Sequence, residues 1–166
     1  MTALAPVVAF RPITDEDRTF LVNLYISTRA GEFRHMAWSD AQVREFLTRQ
    51  FDFQKQSYEV TFLGAAFRII QLEGVDVGRL YVDRGNTYLH IIEFSLVPEW
   101  RGRGLGTNIL RSLLNEAHGG KVPVRLSVLK DSPAVSLYLR HGFRIIGDKG
   151  SHHAMEWIPD TGPRVI

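Results

Sequence analysis

The spacing of apolar residues changes character twice along this chain. The opening stretch VVAFR, residues 7–11, alternates like a short strand and is closed by Pro12. Thr14 then precedes Asp15, Glu16 and Asp17, the pattern of an N-cap and an acidic first helical turn. Phe20, Leu21, Leu24 and Tyr25 follow at helical spacing. Ser39 opens a second helix with Gln42 as its capping-box partner, and Val43, Phe46, Leu47 and Phe51 define one apolar face. From residue 65 the period becomes two. AAFRIIQL, a Glu73-Gly74 turn and DVGRLYVDR predict a hairpin, and Arg84-Gly85-Asn86 leads into a third strand, TYLHIIEFSLV. The helical period returns at Ile109, Leu110, Leu113, Leu114 and Ala117, ending at Gly119-Gly120. VPVRLSVL reads as a strand. Asp131-Ser132-Pro133 starts a last helix, with Pro133 in its first turn, that runs to Gly142. FRIIG and HAMEWI read as closing strands. The expected order is β-α-α-β-β-β-α-β-α-β-β, an α+β chain with about seven strands in a mixed central sheet and four main helices.

Composition narrows the picture only modestly. A length of 166 residues suits one domain, taken here as 1–166. With 45% hydrophobic and 23% charged residues the chain sits in the ordinary globular range. A net charge of +2 gives no reason to expect a nucleic-acid partner. Only four of the twenty cations are lysine (Lys55, Lys121, Lys130, Lys149), so the basic side chains are mostly suited to planar contacts with phosphate or carboxylate. The absence of cysteine removes disulfides, thiolate nucleophiles and cysteine metal sites. The start lacks a basic region followed by a long apolar one, and no apolar run has membrane-spanning length, so the expectation is a cytoplasmic protein without a membrane partner.

One stretch demands a chemical explanation. Residues 97–110 read VPEWRGRGLGTNIL and lie between a strand end and a helix start. The unpaired N–H groups and dipole of a helix N-terminus attract anions, phosphate above all. Glycines let a ligand approach the backbone, and Arg101 and Arg103 add charge-assisted donors. The Walker spacing G-x-x-x-x-G-K-[ST] is absent, because no lysine stands in place. The dinucleotide fingerprint G-x-G-x-x-G also fails, because Gly102, Gly104 and Gly106 give G-x-G-x-G. His152-His153 does not suggest a metal site: adjacent strand residues face opposite sides, and no third ligand accompanies them.

Arg101-Gly102-Arg103-Gly104-Leu105-Gly106 matches the [Q/R]-x-x-G-x-[G/A] signature of the GCN5-related N-acetyltransferases (GNAT superfamily). Val97-Pro98-Glu99 upstream and Ala134-x-x-Leu137-Tyr138-x-x-x-Gly142-Phe143 downstream also resemble that family, over about residues 7–158. The resemblance implies that acetyl-coenzyme A is the cofactor. Its pyrophosphate would lie on Arg101, Gly102, Arg103, Gly104, Leu105, Gly106 and Thr107. Its pantetheine arm would pair with the bulged, splayed strand end at Ser95, Leu96 and Val97, one of whose N–H groups would polarise the thioester carbonyl. Ala134 and Asp131 belong to the cofactor-binding helix start, although relatives often carry asparagine where this chain has Asp131. Tyr138 would protonate the departing thiolate, as a phenol of pKa about 10 can for a thiol of pKa about 8.5.

Two residues offer to deprotonate the acceptor amine. Glu93 stands where aminoglycoside 6′-acetyltransferase-like relatives carry an acid. His90 matches the glutamate of histone acetyltransferase-like relatives and a histidine of arylalkylamine acetyltransferase-like ones. A period of two puts 90 and 93 on opposite faces unless a bulge intervenes. A carboxylate among Ile91, Ile92 and Phe94 is costly to bury without a purpose, which favours Glu93. Arg34, Trp38, Gln50, Gln54 and Tyr58 fall where relatives build the acceptor pocket. The implied activity is direct acetyl transfer to a primary amine of a small molecule or peptide. The alternative is an acyl-coenzyme A-binding regulatory module without catalysis. Dimers are common in the family, which leaves a homodimer open.

Overall fold

A computed structural model describes residues 6–160. Its elements are β1 (Val8–Pro12), α1 (Arg18–Arg29), α2 (Asp40–Thr61), β2 (Ala66–Leu72), β3 (Val75–Arg84), β4 (Leu89–Leu96), α3 (Leu105–Gly119), β5 (Val124–Leu129), α4 (Ala134–Arg140), β6 (Arg144–Lys149) and β7 (His152–Trp157). The seven strands form one sheet in the order β1-β2-β3-β4-β5-β7-β6. The β4–β5 pair is parallel, whereas β1–β2, β5–β7 and β6–β7 are antiparallel. The α+β class and the element order read from the sequence are those observed. Among the described residues, no helix is long and apolar enough to cross a membrane.

Local chemistry explains most boundaries. Ser39 caps α2 reciprocally with Gln42: the Ser39 N–H donates to Gln42 Oε1 at 2.8 Å, and the Gln42 N–H donates to Ser39 Oγ at 3.2 Å. At Thr14 the outcome differs from a simple helix start. Residues Asp15–Asp17 form a 3₁₀ turn, and the α-helix begins only at Arg18. Asp17 turns inward, accepting the Thr14 N–H at 2.8 Å and two Arg11 guanidinium bonds at 2.8 and 2.9 Å. The Glu73-Gly74 turn has φ of 51° and 77° at its two residues, the left-handed pair that a two-residue hairpin demands. Pro12 ends β1 inside the strand, where an outer strand tolerates a missing donor. The last helix is shorter than expected, because Ser132 Oγ accepts the Ala134 N–H and the helix stops at Arg140.

The chain divides into two compact units. One comprises residues 6–81 and 93–101, the other 82–92 and 102–160. The core of the first is Leu21, Val22, Tyr25, Leu47, Phe51 and Ile69. Phe46 departs from the expected buried face: it is 38% exposed and packs edge-on to Phe33 and Trp38. In the second unit, α3 buries Leu105, Ile109, Leu110, Leu113, Leu114 and Ala117. Tyr138, Phe143 and Met155 are also buried there.

The β3–β4 pairing carries an irregularity that matters below. At the turn, the Gly85 N–H donates to Tyr88 O; at the other end, the Val97 N–H donates to Val77 O. Between these two bonds lie eight steps along β3 and nine along β4, so β4 holds one extra residue, a β-bulge. In the register set at the turn, Glu93 would face Leu80 and Arg79 would project to the other side. Instead the Arg79 and Glu93 side chains meet. The shifted register therefore already holds at Glu93, and the extra residue lies between Tyr88 and Glu93. Gly78 is shaped by the same pairing. A Cβ added there falls on the Ser95 carbonyl oxygen and 3.2 Å from Leu96 Cα.

Gly78→Ala is accordingly expected to destabilise the fold by about 1–3 kcal/mol, because backbone would have to move. Gly64→Ala, with open space around its Cβ position, should change stability by less than about 0.5 kcal/mol. Urea unfolding of both variants checks the contrast.

Candidate active site

Glu93 is the centre of a polar cluster in the first unit. Its Oε1 accepts the Tyr58 hydroxyl at 2.6 Å and Gln54 Nε2 at 3.0 Å, while Oε2 lies 3.4 Å from Arg79 Nη2. Arg79 Nη2 also donates to Gln54 Oε1 at 3.2 Å. Each component follows from its element. Gln54 and Tyr58 are four apart on α2 and share a face. Arg79 and Glu93 meet because the bulge shifts β4 by one residue. The Arg79 side chain is 3% exposed and that of Glu93 is 23% exposed, so the guanidinium is buried and the carboxylate still reaches solvent. Arg79 lies 4.9 Å from the Tyr81 ring centre and 6.0 Å from that of Tyr25. Its Nε has no hydrogen-bond partner. Beside it is a cavity of about 40 Å³, lined by Gln54, Tyr58, Phe67, Arg79 and Tyr81 among others, room for water rather than for an acceptor. Burial, then the charge of Glu93 and the bond to it, push the Tyr58 phenol well above its ordinary pKa. Tyr58 therefore remains a neutral donor at any physiological pH.

The strand end beyond Glu93 corrects one expectation. The Val97 N–H is bonded to Val77 O at 2.8 Å, and by alternation the Ser95 backbone also faces β3. Of the three residues assigned to the pantetheine arm, only Leu96 turns its N–H the other way, joined by Phe94. The reason is the register: β3 already satisfies the other two. The Leu96 carbonyl is engaged too, accepting Arg101 Nε at 2.9 Å, while Arg101 Nη2 donates to Ser27 Oγ at 3.0 Å. The Arg101 side chain thus fastens the strand end to α1, leaving only its main chain for a phosphate.

The second unit carries the glycine loop. Gly102 and Gly104 have φ of 70° and 85°, and a Cβ at either position would meet open space. Gly104 is the N-cap of α3, and the Asn108 N–H is bonded back to Gly104 O. Leu105, Gly106 and Thr107 thus fill the first turn, whose amides have no carbonyl one turn back. The exposed Arg103 flanks them. This constellation fits an anionic group of phosphate type. Tyr138 is buried on α4, with its ring centre 5.3 Å from that of Phe143. Ala134 opens the same helix, and Asp131 is exposed just before it. Parallel pairing of β4 with β5 is registered from Leu89–Val124 to Ile91–Leu126, although both strands continue beyond it.

His90 is half-buried, and burial is the main reason its imidazolium pKa lies below the ordinary value; Lys149 adds to the effect and Asp83 opposes it. Of the side chains singled out in the sequence, Glu93, Gln54 and Tyr58 come together. Gln50 instead accepts the Tyr25 hydroxyl at 3.1 Å, and Trp38 stacks on Phe33. Arg79 and Tyr81 went unrecognised. The signal was present, since Arg79 is the lone charge within VGRLYV, the same oddity that marked Glu93.

Comparison with known proteins agrees with this fold. Residues 35–160, three quarters of the chain, match the family model described as an acetyltransferase (GNAT) domain. The PaiA N-acetyltransferase of Thermoplasma acidophilum, crystallised with coenzyme A, is 17% identical with a TM-score of 0.68, over 92% of this chain and 99% of that one. A ribosomal-protein-alanine N-acetyltransferase of Escherichia coli is 12% identical with a TM-score of 0.62, over 96% and 99%. A histone acetyltransferase-related protein of Corynebacterium glutamicum is 21% identical with a TM-score of 0.63, over 98% and 100%. No curated protein matches the chain. The chain belongs to the GCN5-related N-acetyltransferase family, whose co-substrate is acetyl-coenzyme A.

Removing one member of a partly buried ion pair leaves the other without its counter-charge. Arg79→Met should cost about 2–4 kcal/mol of stability, and adding Glu93→Gln should restore part of that loss. Thermal and urea unfolding of the single and double variants measure both.

Proposed function

We propose that the chain is a single-domain N-acetyltransferase that moves an acetyl group from acetyl-coenzyme A to a primary amine of a small molecule or peptide. The observation that carries this reading is the glycine loop opening α3, with bare first-turn amides and open space at Gly102 and Gly104. When bound, acetyl-coenzyme A supplies a thioester, an acyl donor that needs no protein nucleophile. The backbone of Arg101, Gly102, Arg103, Gly104, Leu105, Gly106 and Thr107 holds its pyrophosphate. The Leu96 N–H, turned away from β3, is the donor best suited to polarise the acyl carbonyl. Phe94 joins Leu96 in receiving the pantetheine arm, with Ser95 and Val97 flanking, and Asp131 and Ala134 line the start of the cofactor-binding helix. Glu93 orients the acceptor amine. His90, held neutral by burial, can take a proton at pH 7. Tyr138 returns a proton to the thiolate. We take the enzyme to work in the cytoplasm, without a membrane or nucleic-acid partner.

Calorimetry of the purified protein with acetyl-coenzyme A tests the reading. Binding in the micromolar range supports it, and Gly104→Val should abolish that binding, since a branched side chain opposes φ of 85° and fills the cradle. No binding at high micromolar concentration overturns it. Tyr138→Phe should lower kcat by about 100-fold with little change in acetyl-coenzyme A affinity.

The pH profile offers a further check. An imidazole whose pKa lies below the ordinary value of about 6.5 stays neutral down to that pH. Turnover should therefore be lost only on acidification below about 6.5, and His90→Gln should remove that acid limb.

A further inference from the structure

One side of α2 is apolar although the core does not cover it. Val43, Leu47 and Phe51 pack into the core of the first unit, and Gln54 and Tyr58 reach Glu93. Phe46, Phe53 and Val60 stand seven residues apart, about two helical turns, and so line up along a different side. They are 38, 77 and 76% exposed. Gln50 and Ser57 fall between them, so the stripe 46-50-53-57-60 steps by four and three in turn and carries no charge. The nearby charges are matched within the helix, Arg49 to Glu45 and Lys55 to Glu59. At one end the stripe broadens, because Phe46 packs edge-on to Phe33 and Trp38, beside the exposed Met36. Just past the other end, Leu63 is 87% exposed. At about 200 Å² for a fully exposed large side chain, Met36, Trp38, Phe46, Phe53, Val60 and Leu63 together present roughly 700 Å². The largest apolar patch on a chain that stays alone is about 300–600 Å².

The geometry points to a second copy of this chain as the occupant, its α2 packed antiparallel on this one about a twofold axis through Phe53. A twofold interface must match itself, residue i meeting j wherever j meets i. The stripe meets that condition. With Phe53 against Phe53, Phe46 of each copy meets Val60 of the other, seven residues to either side. The broad end, with Trp38 and Met36, then lies over the narrow end at Val60 and Leu63. The polar flanks agree as well. Gln50 falls opposite Gln56, and Arg49 opposite Ser57, so hydrogen-bonding groups meet and no like charges are brought together. The stripe runs for about 21 Å, enough for two helices to pack along it. A stable interface takes about 800 Å² from each partner, close to what the apolar stripe and its polar flanks present. Phe53, the most exposed ring of the stripe, sits at the centre, where a buried aromatic contributes most to binding.

Sedimentation equilibrium of the whole chain measures the association. A dimer that dissociates in the micromolar range or below is expected, and Phe53→Glu, which sets two carboxylates against each other, should weaken it at least about 100-fold. The substituted side chain is exposed, so circular dichroism and the unfolding temperature should stay as in the parent chain. The absence of cysteine allows the register to be tested directly, because any introduced cysteine is the sole thiol. Phe53→Cys should form an intermolecular disulfide on mild oxidation, since only a twofold through that residue brings two copies of it within bonding reach. Phe46→Cys and Val60→Cys should each cross-link poorly alone and readily when mixed. Glu59→Cys, on another side of α2, should stay uncross-linked. A chain that is monomeric at high micromolar concentration overturns the inference and leaves the stripe to a different protein or a lipid surface. A dimer unaffected by Phe53→Glu, or cross-linking no better through position 53 than through position 59, overturns it too, by placing the contact elsewhere.

Discussion

A single extra residue in β4 decides how the chemical groups of the first unit are arranged. Strand pairing admits one register at a time, and a shift of one residue reverses which side chains share a face. With the bulge, Glu93 meets Arg79 and comes under Tyr58 and Gln54. In the register set at the turn it would have stood opposite Leu80, with Arg79 on the other side of the sheet. The same shift sets Leu96 against Gly78, where only a hydrogen can be accommodated beside the Ser95 carbonyl. It also commits Val97 to β3 and leaves Leu96 directed outward. A glycine and a bulge thus work together, one allowing close approach and the other choosing which backbone groups remain available.

The Arg79–Glu93 pair, with its cation buried and its carboxylate at the edge of solvent, is the energetic counterpart of that geometry. Two charges in a poorly solvated setting repay their desolvation only when additional hydrogen bonds complete the shell. Gln54 does this for both partners, donating to Glu93 and accepting from Arg79, and the Tyr81 ring lies close to the cation. The polar side chains of α2 that face β3 and β4 therefore hold a carboxylate at the edge of solvent with its orientation fixed. Arg101 extends the same principle to the backbone, tying the Leu96 carbonyl to Ser27 on α1.

In the second unit the chemistry rests on main-chain groups. Gly104 in the left-handed region turns the chain into α3, so that the first-turn amides have no carbonyl one turn back. The amphipathic rear of α3, from Leu105 to Ala117, holds that terminus in place. A turn that needs positive φ at two positions is strict about glycine, which is why it can be read in a sequence.

Much of this protein was legible before its structure. The change from helical to alternating spacing gave the order of elements, because apolar faces must be buried with the period of their own backbone. The Ser39–Gln42 cap and the Glu73-Gly74 turn are chemistry between near neighbours, and both formed where expected. The G-x-G-x-G loop was likewise self-contained. Glu93 stood out as a charge among apolar residues, but Arg79, in an equivalent setting, was overlooked. The sequence by itself determined the elements, the family and the glycine loop that opens α3, all properties of residues close together along the chain. Only the tertiary structure decided that β4 carries a bulge, that Arg101 points back to the strand, that Ser95 and Val97 are committed to β3, and that Tyr58, Gln54 and Arg79 converge on Glu93. Those outcomes depend on the register of strands and on contacts between residues up to 74 positions apart, which no local pattern encodes.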